Sequence, residues 1–162
     1  MTGTITLPET QDRSARFKAL IPQLRALIGS EPDPVATMAN VTAALMEVFR
    51  WHWIGFYRVL DDELVLGPFQ GPVACTRIAY GKGVCGTAWK EDRTMLVPDV
   101  EQFPGHIACS ALSRSEIVVP IHGRPGTVTA VLDIDSALLD DFTEQDRTHL
   151  EELCALLETD RG

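Results

Sequence analysis

Cys75, Cys85 and Cys109 stand in the middle of the chain, 10 and 24 residues apart, each in or beside a glycine-containing segment. Glu116 follows Cys109 by seven residues, and Asp133 and Asp135 come later on a strand-like run. Thiols near groups that hold or deliver a proton suit thiol-based redox chemistry. One thiolate attacks, a second thiol resolves the product, and an acid protonates a leaving oxygen.

Other readings of the same residues stay open at this level. Three cysteines with His106 could ligate zinc, but spacings of 10 and 24 lack the short Cys-x-x-Cys pairs common in structural zinc sites. No metal is therefore expected. His106 stands three residues from Cys109, where it is either a base or an ordinary hydrogen-bonding loop residue. Gly81-Lys82-Gly83 lacks the Gly-Lys-Ser/Thr ending of a phosphate loop. Cys154 falls on the apolar stripe of a terminal helix and reads as a small buried hydrophobe.

The elements that position these groups follow from periodicity. Residues 16–28 carry apolar side chains at helical spacing, with Gly29 as the stop. Asp33 and Pro34 open a second helix that runs to about Arg50. Residues 51–60 are aromatic and β-rich, and a turn at 61–63 returns the chain as a strand over 64–67. A loop to Cys75, a short strand at 77–80, a helix at 83–91 and a strand at 94–97 come next. Residues 98–112 form a long connection, of the kind that tends to be functional. Strands at 115–121 and 127–135 flank a turn at 123–126. Thr143 caps the last helix, with Asp146 at the capping-box position.

Tight turns make the later strands antiparallel. The fold class is thus α/β in the α+β sense: a central antiparallel sheet with the N- and C-terminal helices on one face and loops over a pocket on the other. Residues 1–162 read as one domain, with 1–12 a loose end.

Strand alternation sorts the polar groups. In 127–135, Val128, Ala130, Leu132 and Ile134 share one face, while Thr127, Thr129, Val131, Asp133 and Asp135 share the other. Glu116 and Val118 alternate in the same way with Ile117, Val119 and Ile121. Three carboxylates then converge opposite the helices, unless that face is a solvated sheet edge. Crowding would raise their pKa values, which suits a proton donor. Trp53, Gly55 and Tyr57 also share a face. They either wall a pocket, with Gly55 leaving room between the rings, or pack as core.

Bulk properties narrow the partners. The chain has 162 residues and a formal net charge of −9. Without a basic face, nucleic acids and anionic membranes are poor partners. No run of 18 apolar residues and no signal-like N-terminus is present, so a cytoplasmic location is expected. There thiols stay reduced, and cysteines serve chemistry or packing rather than a structural framework.

The chain resembles the free methionine-(R)-sulfoxide reductases, which are stand-alone GAF domains. The resemblance covers about residues 15–158. It rests on Trp53-Ile54-Gly55-Phe56-Tyr57, Leu66 through Gly71, Gly83-Val84-Cys85-Gly86, Val97 through Val100, Phe103 through Cys109, Ser115 through Pro120, and Leu132 through Ser136. It implies Cys109 as the catalytic cysteine, Cys75 as the resolving partner in a disulfide, and Cys85 as an auxiliary thiol. It also implies a substrate cage of Glu116, Asp133, Asp135, Trp53 and Tyr57, with Asp99 near another acidic position. The expected reaction is reduction of free methionine sulfoxide, with thioredoxin or a similar dithiol as reductant, no bound cofactor, and a homodimer at family level. A small-ligand or redox-sensing GAF module without turnover is the alternative. Ser110, Arg114 and Glu101 depart from the family pattern, where an aspartate, an asparagine and a histidine are usual.

Overall fold

The computed structural model describes residues 3–124 and 126–158. Helix α1 (Arg13–Ile28) begins earlier than its apolar spacing predicts, because Asp12 caps it by accepting from the Ala15 amide at 3.3 Å. It ends at Gly29 in ordinary right-handed geometry. Helix α2 (Pro34–Phe49) starts where predicted. Asp33 accepts from the Val35 and Ala36 amides at 2.8 and 3.0 Å, and Pro34 lies in the first turn.

The strands are β1 (Trp53–Leu60), β2 (Glu63–Gln70), β3 (Arg77–Ala79), β4 (Met95–Val97), β5 (Ser115–His122) and β6 (Val128–Ser136). They form one sheet in the order β3-β2-β1-β6-β5-β4, with every adjacent pair antiparallel. Helix α3 (Gly83–Glu91) precedes β4, and α4 (Glu144–Ala155) closes the chain. Thr143 and Asp146 form the expected capping box on α4. Within the connection 98–112, Val100–Gln102 is a 3₁₀ turn.

Strand β2 runs beyond the predicted 64–67. Gly67 and Pro68 look like breakers in sequence. But β3 pairs only with Glu63 to Val65, so the outer edge of β2 is free of a partner strand after that, and proline is tolerated on such an edge. The extension brings Phe69 opposite Gly55.

The sheet separates two apolar clusters. On one face, α1, α2 and α4 cover Ile54, Phe56, Ile117, Val119, Ile121, Ala130, Leu132 and Ile134. Cys154 lies in this cluster, 1% exposed, as its helical spacing implies. Residues of the opposite parity, among them Trp53, Tyr57, Val118 and Val131, face α3 and the loops. The N-terminal end departs from expectation. Ile5 and Leu7 pack on the helical cluster, and Thr6 exchanges hydrogen bonds with Gln23 at 2.9 and 2.7 Å. Among the described residues, no helix is long and apolar enough to cross a membrane. Pro125, placed in the 123–126 turn, lies outside the described residues.

Candidate active site

The carboxylates sit on β5 and β6, two interior strands, on the α3 side of the sheet. Strand β6 lies between β1 and β5, so Asp133 and Glu116 are not on an edge; each is only 6% exposed. This settles the choice between a solvated face and convergence. Register does the gathering: Glu116 lies opposite Asp135, and Asp133 lies opposite both Gly55 and Val118. Trp53 lies opposite Asp135 on the other side.

Gly55, opposite Asp133, makes room for the Trp53 ring and Phe69. A Cβ there would meet Phe69 Cβ at 2.5 Å and press into the Trp53 ring. Phe69 stacks on Trp53, with ring centroids 5.3 Å apart, and Trp53 stacks on Tyr57 at 6.0 Å. Trp53 and Tyr57 therefore wall the cavity and are also packed, with Phe69 stacked behind Trp53.

Those aromatics hold the cysteine loop. Trp53 Nε1 donates to the Pro72 carbonyl at 3.0 Å, and Tyr57 Oη donates to the Cys75 carbonyl at 2.8 Å. Cys75 forms a disulfide with Cys109 across 34 residues, with Cα atoms 5.6 Å apart. Two sulfurs bound to each other cannot also ligate zinc, so this structure does not form the three-cysteine and His106 site. Cys85 is a free thiol on α3, 4% exposed. Cys85 and Cys109 line one cavity together with Trp53, Tyr57, Glu116, Asp133, Asp135 and His106, and Cys75 joins it through its bond to Cys109.

Electrostatics divide the carboxyls. Burial pushes Glu116 well above the usual carboxylate range, and nearby Asp133 and Asp135 push it further. Burial also raises Asp133, but hydrogen bonds from Glu116 and Cys85 oppose the rise. That pattern favours the protonated forms of Glu116 and Cys85, with Asp133 as the acceptor of both hydrogen bonds. Asp133 Oδ1 is nevertheless buried and takes no hydrogen bond from the described residues. Asp135 is raised by burial and by Asp133, with a Ser113 hydrogen bond opposing. Burial raises the Cys85 thiol far above its ordinary value, with Asp133, Glu116 and Asp135 adding to the effect. Cys85 is thus a protonated thiol here. Burial lowers His106, which leaves its imidazole neutral, with Glu101 opposing only in part.

Asp99 is a correction to the sequence reading. Its side chain accepts from the Glu101 amide at 3.0 Å and caps the 3₁₀ turn, and it does not line the cavity. An Asx cap is invisible in residue type alone. Ser110, one of the departures, has a structural role: its Oγ lies 3.0 Å from His52 Nε2 and accepts from the Leu112 amide at 3.3 Å. It ties the Cys109 loop to the segment entering β1. Sequence reasoning missed Phe69 and Ser113. Phe69 was hidden by the breaker pair before it, and Ser113 carries no pattern of its own.

A GAF domain family profile matches residues 31–159. The free methionine-R-sulfoxide reductase of Escherichia coli (strain K12) is 48% identical over 134 residues, spanning 82% of this chain and 81% of that protein. The chain belongs to the free methionine-R-sulfoxide reductase family of GAF domains. Solved reductases agree in three dimensions. The enzyme from Neisseria meningitidis, in complex with its substrate, superposes with a TM-score of 0.92 at 48% identity, covering 98% of this chain and 95% of that one. The reduced Staphylococcus aureus reductase gives 0.86 at 42% identity, covering 98% and 100%. The reductase family frame thus fits the whole sheet and both terminal helices of this chain.

Proposed function

We propose that this chain reduces free L-methionine-(R)-S-oxide to methionine through a cysteine sulfenic acid and an intramolecular disulfide. The single observation that carries the reading is the Cys75–Cys109 disulfide at the rim of a buried carboxyl cluster walled by Trp53 and Tyr57. The R preference comes from the family alone.

The cycle begins with Cys109 and Cys75 as thiols. Cys109 thiolate attacks the sulfoxide sulfur. Glu116, held protonated, hydrogen-bonds the sulfoxide oxygen and gives it a proton as the sulfur–oxygen bond weakens. The oxygen passes to Cys109, leaving methionine and Cys109 sulfenic acid. Cys75 thiol attacks that sulfur and expels water, which forms the disulfide. An external dithiol such as thioredoxin then takes the oxidation and restores both thiols. The cycle runs on the chain's own thiols and carboxyls plus that reductant.

The unpartnered Asp133 Oδ1 supplies the recognition step. An anionic oxygen buried without a donor is costly, and an ammonium group relieves it. A free amino acid brings that ammonium; a residue within a protein does not. The comparison that tests this is turnover on free methionine sulfoxide against its N-acetyl derivative, each as separate epimers with thioredoxin recycling. Turnover confined to the free R epimer is the expected result. Equal turnover on the acetylated compound would refute the ammonium assignment, and no turnover on either would favour a ligand-sensing GAF module.

A further inference from the structure

We propose that Cys85, Glu116 and Asp133 form a binding site for a thiophilic divalent cation such as Zn²⁺, which occupies the cavity as an inhibitor rather than as a cofactor. One sulfur and two carboxylate oxygens, one from each residue, lie within 4.8 Å of one another, and all three residues are buried. A tetrahedral zinc ion holds such ligand atoms roughly 3.3–3.7 Å apart, given its usual bond lengths. The three donors thus need to close by at most about 1.5 Å, within side-chain reach.

A second observation points to a cation. Asp133 lines this cavity, and its Oδ1 is buried with no hydrogen-bond partner among the described residues. A divalent ion would satisfy it and would cancel the repulsion that crowds Asp133 against Glu116 and Asp135. The site also has an approach from solvent, since the exposed Val73 and Ile107 line the same cavity. Binding replaces the Cys85 sulfur–hydrogen bond with a sulfur–metal bond and releases the proton, with no change of oxidation state. Oxidation of Cys75 and Cys109 leaves the donor set intact, because neither belongs to it.

The inhibitory consequence rests on the proposed reduction, in which Glu116 and Asp133 contact the substrate. Binding itself does not, so the two are separable. The probe is Cd²⁺, added to the air-oxidised full chain without reductant. Cys85 and Cys154 are then the free thiols, and Cys154 is sealed in the helical core. A thiolate-to-cadmium ultraviolet band should saturate near one equivalent. Cys85→Ser should abolish it, Glu116→Gln should weaken binding at least about tenfold, and Cys154→Ser should leave it unchanged. Excess free methionine should displace the metal.

Absence of the band in the wild-type chain, its persistence in Cys85→Ser, or undiminished affinity in Glu116→Gln overturns the site. Should Cys85→Ser not fold, the wild-type titration and Glu116→Gln decide. Metal that binds but is not displaced by methionine overturns the competitive part. A chain that binds Cd²⁺ yet never turns over sulfoxide keeps the metal site and sinks the reductase reading.

Discussion

Tyr57 Oη donates a hydrogen bond to the Cys75 carbonyl at 2.8 Å, so the wall of the cavity also anchors the loop that carries one half of the disulfide. The ring belongs to β1, a rigid central strand, whereas residues 71–76 have no regular structure. Tyr57→Phe keeps the ring and removes the anchor. A hydrogen bond of this kind is worth roughly 0.5–1.5 kcal/mol, so disulfide closure should slow by up to about tenfold. The first methionine should still be released at close to the wild-type rate. Trapping of the Cys109 sulfenic acid should rise in the variant; unchanged trapping would show that the anchor is irrelevant to closure.

In the proposed cycle the thiols divide the labour. Cys109→Ser should abolish methionine release, because no sulfenic acid can form. Cys75→Ser should release about one methionine per chain and then stall under thioredoxin recycling. Cys154→Ser should keep turnover, since that sulfur lies in the helical cluster on the far face of the sheet. Single-turnover and steady-state methionine assays separate these cases. Equal single-turnover activity in wild type and Cys109→Ser would reject the assignment.

The two buried carboxyls should fail differently. Glu116→Gln removes the proton that Glu116 is built to hold, and should lower kcat by roughly 10²-fold. In the proposed complex, Asp133→Asn removes the group that faces the substrate ammonium, and should raise KM more than it lowers kcat. The folded state should tolerate both, because shape is conserved. If both variants show wild-type kinetics at neutral pH, neither group acts on the substrate.

Much of this site was legible because a strand has a period of two. Alternation alone put Asp133, Asp135 and Glu116 on the face away from the helices, and Trp53 and Tyr57 with them. What alternation could not supply was the pairing of β6 between β1 and β5, which decides that the carboxyls are buried. Phe69 stayed hidden because Gly67 and Pro68 look like the end of a strand unless the edge position of β2 is known. Asp99 looked like a site residue because an acidic side chain that caps a turn has the same letter as one that binds a ligand. The unpartnered Asp133 Oδ1 is a property of three dimensions and has no signature in sequence.

His122 should make stability depend on pH. Its Nε2 lies 2.5 Å from Asp92 Oδ1 and its Nδ1 lies 2.7 Å from Glu158 Oε1, which ties β5 to the ends of α3 and α4. Burial alone would lower its pKa, but the two carboxylates outweigh that and raise it above 6.5. Arg93, Arg147 and Glu151 line the same surface hollow. A raised folded-state pKa contributes stability in full below the unfolded value, and that contribution is lost as pH rises through the folded value. The Tm difference between wild type and His122→Gln should therefore be largest on the acid side and shrink with rising pH. A gap that does not vary with pH would show that the ring is held by packing alone.

Arg13 and Asp146 should dominate the docking of α1 on α4. Arg13 Nη1 lies 2.6 Å from Asp146 Oδ2, Nη2 lies 2.8 Å from Asp141 Oδ1, and the guanidinium stacks 5.3 Å from the Trp51 ring centre. Asp146 is 2% exposed and also accepts from the Thr143 amide at 2.9 Å as part of the capping box. Asp146→Ala would remove the half of the capping box that accepts from the Thr143 amide, and would leave Arg13 with Asp141 as its remaining carboxylate partner. The combined loss should be about 2–4 kcal/mol. Arg13→Met should cost less, because it removes the charge while keeping an apolar stem against Trp51. Denaturant unfolding of the two single variants and the double variant measures the coupling. A double variant whose loss equals the sum of the singles would show that Arg13 and Asp146 stabilise the helix pair independently.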